Sequence, residues 1–206
     1  MNLIFDIGAN VGQFTAACIK KYPNAKIISI EANPNLISIL RKFESNNVIV
    51  LNNAVSDKSD EMIDFYISNT SVLSTAHTDW MTKSRFTGKA KWADPIKVKT
   101  INLDDLIKIY GNPDLIKIDV EGYEYTVMKG LTSKQKDICF EWAEEEYDNI
   151  NKTCEYLESL GYKNFGFIYK DAYLVKPDNF KSWRKLEIHQ DIDVKRKNKW
   201  GMIWCN

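Results

Sequence analysis

The chain has 206 residues, of which 44% are hydrophobic and 12% aromatic, enough for one sizeable core and too much for a disordered or fibrous chain. Its 28 basic residues cancel 28 acidic ones, so the electropositive footprint of a dedicated nucleic-acid binder is missing. No run of about 18 apolar residues exists to span a bilayer, and the N-terminus has no basic segment or small-residue cleavage site of a signal peptide. The expectation is one soluble, cytoplasmic domain over residues 1–206. Cys18, Cys139, Cys154 and Cys205 are widely spaced with no CxxC pair, which predicts reduced structural thiols rather than a zinc site or disulfides.

In chain order, residues 3–7 are a short apolar run closed by Gly8, and 11–21 carry apolar residues at helical spacing until Pro23 and Asn24. Residues 27–31 form a second apolar run, followed by Asn33-Pro34 and a helix whose stripe is Leu36, Ile37, Ile39, Leu40 and Phe43. A third run, 48–51, leads into Asn53-Ala54-Val55. Repeated strand–helix units predict parallel strands buried on both faces.

After an alternating strand at 62–67 the periodicity dissolves. Residues 69–95 are rich in Ser and Thr, carry Lys83, Arg85, Lys89 and Lys91, and scatter His77, Trp80, Phe86 and Trp92 among them. An aperiodic stretch of this length with aromatics predicts a lid or substrate loop. Strands follow at 96–101, 115–120 and 137–142, with helices from about Leu103, at 123–129 and at 151–160. Residues 161–206, with apolar runs at 165–169, 172–175 and 201–205, are expected to close one sheet edge with antiparallel strands. The fold class is α/β, a mostly parallel sheet with helices on both faces.

The sharpest motif is Asp6-Ile7-Gly8-Ala9-Asn10-Val11-Gly12. Glycines after a first strand let a ligand approach the backbone, and an acidic residue ending the second strand, here Glu31, can hold ribose hydroxyls. A dinucleotide needs G-x-G-x-x-G to seat its pyrophosphate on a helix N-terminus, and this chain has G-x-N-x-G. A nucleoside without phosphates, such as S-adenosylmethionine, asks less: a backbone bend, a polar contact from Asp6 or Asn10, and the carboxylate of Glu31 with Ala32 beside it. Asn53-Ala54-Val55, after the third strand, would run along the adenine. The plain alternative is a tight strand-to-helix turn.

The second motif is Asp114-Leu115-Ile116-Lys117-Ile118-Asp119-Val120-Glu121-Gly122. Strand alternation puts Lys117, Asp119 and Glu121 on one side, the carboxylates at the carboxyl end where open α/β sheets bind ligands. Glu141, near the end of the next strand, would arrive beside them. Crowded carboxylates raise one another's pKa unless a cation lies between, which suits a general base for a hydroxyl or a metal site, with Asp119 and Glu141 as the ligands of a divalent cation. The alternative for Glu121 is a helix cap. His77 is a second candidate base, on the 69–95 loop, and His189 a weaker one. Trp80, Trp92, Trp142 and Tyr147 could stack on a sugar face, and the loop lysines and Arg85 could meet an anionic acceptor, against the plainer reading of core and solvated face.

Phe5 to Gly12, Ile30-Glu31-Ala32-Asn33-Pro34, Asn53-Ala54-Val55-Ser56, Thr100 to Leu106, Ile116 to Glu124 and Gly130 together resemble the FkbM family of S-adenosylmethionine-dependent O-methyltransferases. The resemblance spans about residues 3–142, and Lys-Ile-Asp-Val-Glu-Gly-x-Glu is its most specific block. It implies a Rossmann-like class I methyltransferase fold with a seven-stranded sheet. It also implies that Glu31 holds the cofactor ribose, that Gly8, Asn10 and Gly12 shape its pocket, and that Asp119, Glu121 and Glu141 face the methyl-transfer site. The implied acceptor is a hydroxyl of a sugar or glycoconjugate. An RNA ribose methyltransferase and a non-catalytic nucleoside-binding module are the rival readings; net neutrality speaks against the first and the carboxylate cluster against the second. Because the first strand begins almost at residue 1, the chain is expected to be either a minimal enzyme or one module of a longer glycan-modifying polypeptide.

Overall fold

In the computed structural model, which describes residues 1–170, 174–186 and 200–206, strand β1 (Leu3–Ile7) is buried at every position. It lies inside the main sheet, paired on both sides. The elements that follow are α1 (Gln13–Lys21), β2 (Lys26–Ile30), α2 (Pro34–Leu40), β3 (Val48–Leu51), β4 (Ala54–Val55), β5 (Met62–Phe65), α3 (Thr78–Lys83), β6 (Ile96–Ile101) and α4 (Leu103–Tyr110). Then come β7 (Leu115–Ile118), α5 (Glu124–Lys129), β8 (Ile138–Ala143), α6 (Tyr147–Ser159), β9 (Phe165–Tyr169) and β10 (Trp200–Cys205).

The main sheet has seven strands in the order β3-β2-β1-β7-β8-β10-β9. The pairs from β3 to β8 are parallel, and β10 runs antiparallel to both β8 and β9. The strand order reverses between β1 and β7, and the crevice beyond the carboxyl ends at such a reversal is where open α/β sheets place ligands. Alternation along β1 splits the core. Phe5 and Ile7 pack with Ile28, Ile116, Leu106, Met128 and Leu157 on one face, while Ile4 packs with Phe14, Cys18, Ile27 and Trp204 on the other. Each such side chain fully withdrawn from water contributes about 1.5–3 kcal/mol.

Helix starts match local chemistry. Asn33 caps α2 by accepting from the Asn35 amide at 3.0 Å, ahead of Pro34 in the first turn. Asn102 caps α4 by accepting from the Asp105 amide at 2.8 Å, with Asp104 and Asp105 facing the positive end of the helix. All four cysteines are free and buried. No described helix is long and apolar enough to cross a membrane.

A second, three-stranded sheet of order β4-β6-β5 stands beside the carboxyl ends of the main sheet. β5 and β6 pair antiparallel from Met62↔Lys99 to Phe65↔Ile96, so the chain between them is one long hairpin insertion. Within the span 69–95, where periodicity fails, the structure has a 3-10 turn at Ser71–Leu73 and the helix α3. Bridges Tyr66↔Thr75 and Ser68↔Trp92 tie it back to its own base. Short elements of this kind are too brief to leave a periodic signature. The edge strands expected at 165–169 and 201–205 are present as β9 and β10. Residues 172 and 173 of the expected strand at 172–175 lie outside the described residues, as does His189, and Leu174 and Val175 are not in a strand.

Candidate active site

Two turns at the strand reversal build the site. The first, after β1, has left-handed backbone at Gly8 (φ 72°), Asn10 (φ 48°) and Gly12 (φ 88°); the second, after β7, has it at Glu121 (φ 53°) and Gly122 (φ 88°). They pack against each other so tightly that a Cβ on Gly8 would lie 1.9 Å from the Asp119 carbonyl oxygen. Gly8 is therefore required both for its conformation and for the approach of the second turn.

Above them opens a cavity of about 340 Å³, within the size range of small-molecule sites. Its walls include Gly8, Ala9 and Asn10 from the first turn, Glu31 and Ala32 after β2, Asn53, Ala54 and Val55 around β4, and Lys117, Asp119, Glu121 and Glu141. Elements far apart in the chain thus converge on one cavity.

Glu31 is buried, with 6% of its surface exposed. Its Oε2 accepts from the Asn10 amide at 2.7 Å and its Oε1 from the Asn33 amide at 2.7 Å. Burial pushes its pKa above the ordinary carboxylate value, and the two amides oppose that. Each carboxylate oxygen keeps a further lone pair for a ligand hydroxyl.

Asp119, Glu121 and Glu141 each present an oxygen within 4.8 Å of the others, a spacing that could also hold a cation. Burial raises the Glu141 pKa well above its usual value, and Glu121, Asp119 and Glu124 raise it further. Strand alternation accounts for only part of this cluster. β7 ends at Ile118, so Asp119 and Glu121 meet through the left-handed turn, while Lys117 is buried beneath it. The Lys117 Nζ donates to the carbonyls of Ile7 and Gly8 at 3.3 and 2.9 Å and pairs with Asp6 at 3.3 Å and Asp119 at 3.5 Å. Burial works against its charge, but Asp119 and Asp6 outweigh that and hold its pKa above the ordinary lysine value.

Three expected contributors do not reach the cavity wall. Asp6 points to the α1 face of β1, fully buried, where it accepts from the Thr15 hydroxyl at 2.7 Å; alternation places it under the turn rather than in it. Gly12 precedes the first turn of α1, and its missing side chain leaves room for Phe43 and Leu40. His77 precedes α3 on the outer side of Gly122, with Nδ1 3.9 Å from Glu146 Oε2, and burial lowers its pKa. The aromatics proposed for sugar stacking are also elsewhere. Trp80 and Trp142 are core residues at 1% and 2% exposure, Trp92 donates its indole N–H to the Leu73 carbonyl at 2.8 Å, and Tyr147 lies on α6 away from the cavity.

Their places are taken by residues without a sequence motif. The 69–95 segment contributes Ser71, Val72, Arg85 and Phe86 to the wall, and Trp200 arrives from the C-terminal strand. Arg85 is held by both Glu145 carboxylate oxygens at 3.1 Å and lies over the Phe86 ring at 4.8 Å. Of this group, the sequence signalled Arg85 and Phe86 through the composition of the loop; nothing marked Trp200.

The family model described as Methyltransferase FkbM domain matches residues 6–164, which contain both turns and all the acidic residues of the cavity. The chain belongs to the FkbM methyltransferase family. The mostly parallel seven-stranded sheet that the resemblance implies is present. It is similar to the hexuronic acid methyltransferase AglP of Haloferax volcanii, 26% identical over 68% of this chain and 54% of that protein. It is also similar to the methyltransferase sdnD of Sordaria araneosa, 28% identical over 66% of this chain and 62% of that protein. The chain thus spans between half and two thirds of the length of these curated relatives. Among solved structures, a precorrin-6y C5,15-methyltransferase from Geobacter metallireducens aligns over 99% of this chain and 80% of its own, with 16% identity and a TM-score of 0.49.

Proposed function

We propose that the protein transfers a methyl group from S-adenosylmethionine to a sugar hydroxyl of a glycan or glycoconjugate. The observation that carries this reading is the meeting of Asp119, Glu121 and Glu141 within 4.8 Å on the wall of the cavity that also holds Glu31. The similarity to a hexuronic acid methyltransferase supports a carbohydrate acceptor.

The methyl donor supplies an electrophilic carbon on a sulfonium. Glu31 would bind the ribose hydroxyls, the backbone at Gly8, Ala9 and Asn10 would border the amino-acid end, and Asn53-Ala54-Val55 with Ala32 would flank the adenine. An acceptor hydroxyl is a weak nucleophile, so alignment and proton removal are the protein's contributions. The proton that the acceptor hydroxyl must lose as the methyl group moves from sulfur to oxygen would pass to a carboxylate of the trio, first Asp119, with Glu141 and then Glu121 as the alternatives. Lys117 acts from beneath by holding Asp119 in place. Should a divalent cation assist, Asp119 and Glu141 would hold it and it would acidify the hydroxyl.

The test is mass spectrometry for added methyl groups after incubation with S-adenosylmethionine and a panel of neutral and uronic sugars, free and polymer-linked, with and without chelator. Calorimetry with the cofactor runs alongside. Asp119→Ala should abolish transfer with cofactor affinity retained. Failure to bind the cofactor in the micromolar range, or an Asp119→Ala protein as active as the parent, overturns the reading.

A further inference from the structure

The turn carrying Glu121 is gripped from outside the cavity. Left-handed backbone at a non-glycine residue persists only where its surroundings over-determine it, and here two distant side chains hold successive carbonyls. The Thr75 hydroxyl donates to the Glu121 carbonyl at 2.8 Å, and the Asn149 side-chain amide donates to the Gly122 carbonyl at 2.7 Å. Glu124 Oε1 adds a local tie by accepting from the Val120 amide at 3.0 Å.

Thr75 is built as a fixed post. It has no exposed surface, and its backbone exchanges two hydrogen bonds with Tyr66, at 2.8 and 3.1 Å, where the insertion leaves β5. Its hydroxyl oxygen also accepts from the His77 amide at 2.8 Å. The same insertion lies directly on Gly122, where a Cβ would come within 3.0 Å of His77 Nδ1 and 3.4 Å of Trp80 Cβ. A segment that walls the cavity through Ser71, Val72, Arg85 and Phe86 therefore also holds the turn that delivers a carboxylate.

We infer that Thr75 and Asn149 are positioning residues that hold Glu121 against Asp119 and Glu141, so that docking of the 66–95 segment completes the carboxylate trio. The inference rests on the reading of that trio as the methyl-transfer site, and its primary test needs no acceptor.

The test is NMR of the whole protein, with the backbone carbon shifts of Glu121 and Gly122 reporting their conformation. Thr75→Val and Asn149→Ala should each move these shifts away from left-handed values, while Thr75→Ser, which keeps the hydroxyl, preserves them. The shifts of Asn10 and Glu31 should stay in place, and cofactor affinity should stay within about twofold of the parent. With any sugar the parent methylates, Thr75→Val should lower kcat at least about tenfold with Thr75→Ser near the parent value. Unchanged Glu121 and Gly122 shifts in both disruptive variants, or Thr75→Ser displaced as far as Thr75→Val, would overturn the inference. If Thr75→Val does not fold, the partly exposed Asn149 carries the same readout. A parent that methylates nothing while the shifts respond counts against the proposed function and leaves the clamp standing.

Discussion

The Lys117 ammonium stands between two carboxylates, 3.3 Å from Asp6 and 3.5 Å from Asp119, and it also ties the carbonyls of Ile7 and Gly8. One buried cation thereby joins the turn after β1 to the turn after β7. This explains a lysine in the middle of a strand that is otherwise apolar.

Replacing that lysine leaves Asp6 fully buried without its counter-ion. Lys117→Met is expected to lower stability by about 3–5 kcal/mol, the range for breaking a buried pair. The double variant with Asp6→Asn should recover part of the loss, since removing both charges costs less than removing one. Denaturant midpoints measure both, and a single variant as stable as the parent would contradict the pairing.

Glu31→Ala removes the acceptor for two backbone amides as well as the proposed ribose contact. Hydrogen bonds to a charged group contribute about 1.5–3 kcal/mol each, so cofactor affinity should fall roughly 10- to 100-fold. Glu31→Gln should not restore it, because its NH2 would face a backbone donor. Calorimetric titration with S-adenosylmethionine decides the point.

Gly8→Ala combines two penalties: left-handed backbone, about 1–2 kcal/mol, and overpacking against the Asp119 carbonyl, about 1–3 kcal/mol. Gly88, also left-handed at φ 75°, has nothing within 4 Å of the point where a Cβ would sit, so Gly88→Ala should cost only the backbone part. Thermal unfolding of the two variants should differ accordingly; equal melting temperatures would remove the close approach from the account.

Burial pushes the Glu124 carboxyl up to about 8 and the Glu146 carboxyl up to about 7. Over that interval the folded protein keeps protons that the unfolded chain has already released. The stabilising effect is complete below an ordinary glutamate pKa of 4.5 and is lost as pH rises to about 8. Urea midpoints should therefore fall between these pH values, and Glu124→Gln should flatten the fall. A parent midpoint that climbs over the same range would refute the buried placement of Glu124.

The amino-acid sequence by itself determined the features that local chemistry governs. Apolar runs separated by helical patterns specified parallel strands buried on both faces, and Gly8-x-Asn10-x-Gly12 marked the turn that borders the cavity beside Glu31. The spacing of Asp119, Glu121 and Gly122 marked a strand end that places two carboxylates on the cavity wall. These are legible because each depends on a few adjacent residues and on a strand or helix period.

The tertiary structure decided what depends on contacts between distant segments. Asp6 belongs beneath the turn because α1 covers its face of β1, His77 and Trp80 lie off the cavity because the 66–95 insertion folds onto Gly122, and Trp142 of β8 packs instead against Phe167 and Tyr169. Trp200 enters the wall because β10 inserts antiparallel between β8 and β9. Thr75 and Glu121 are 46 residues apart, and no period or motif links such a pair. Their contact exists only once the sheet order brings the ends of β5 and β7 to one side of the crevice.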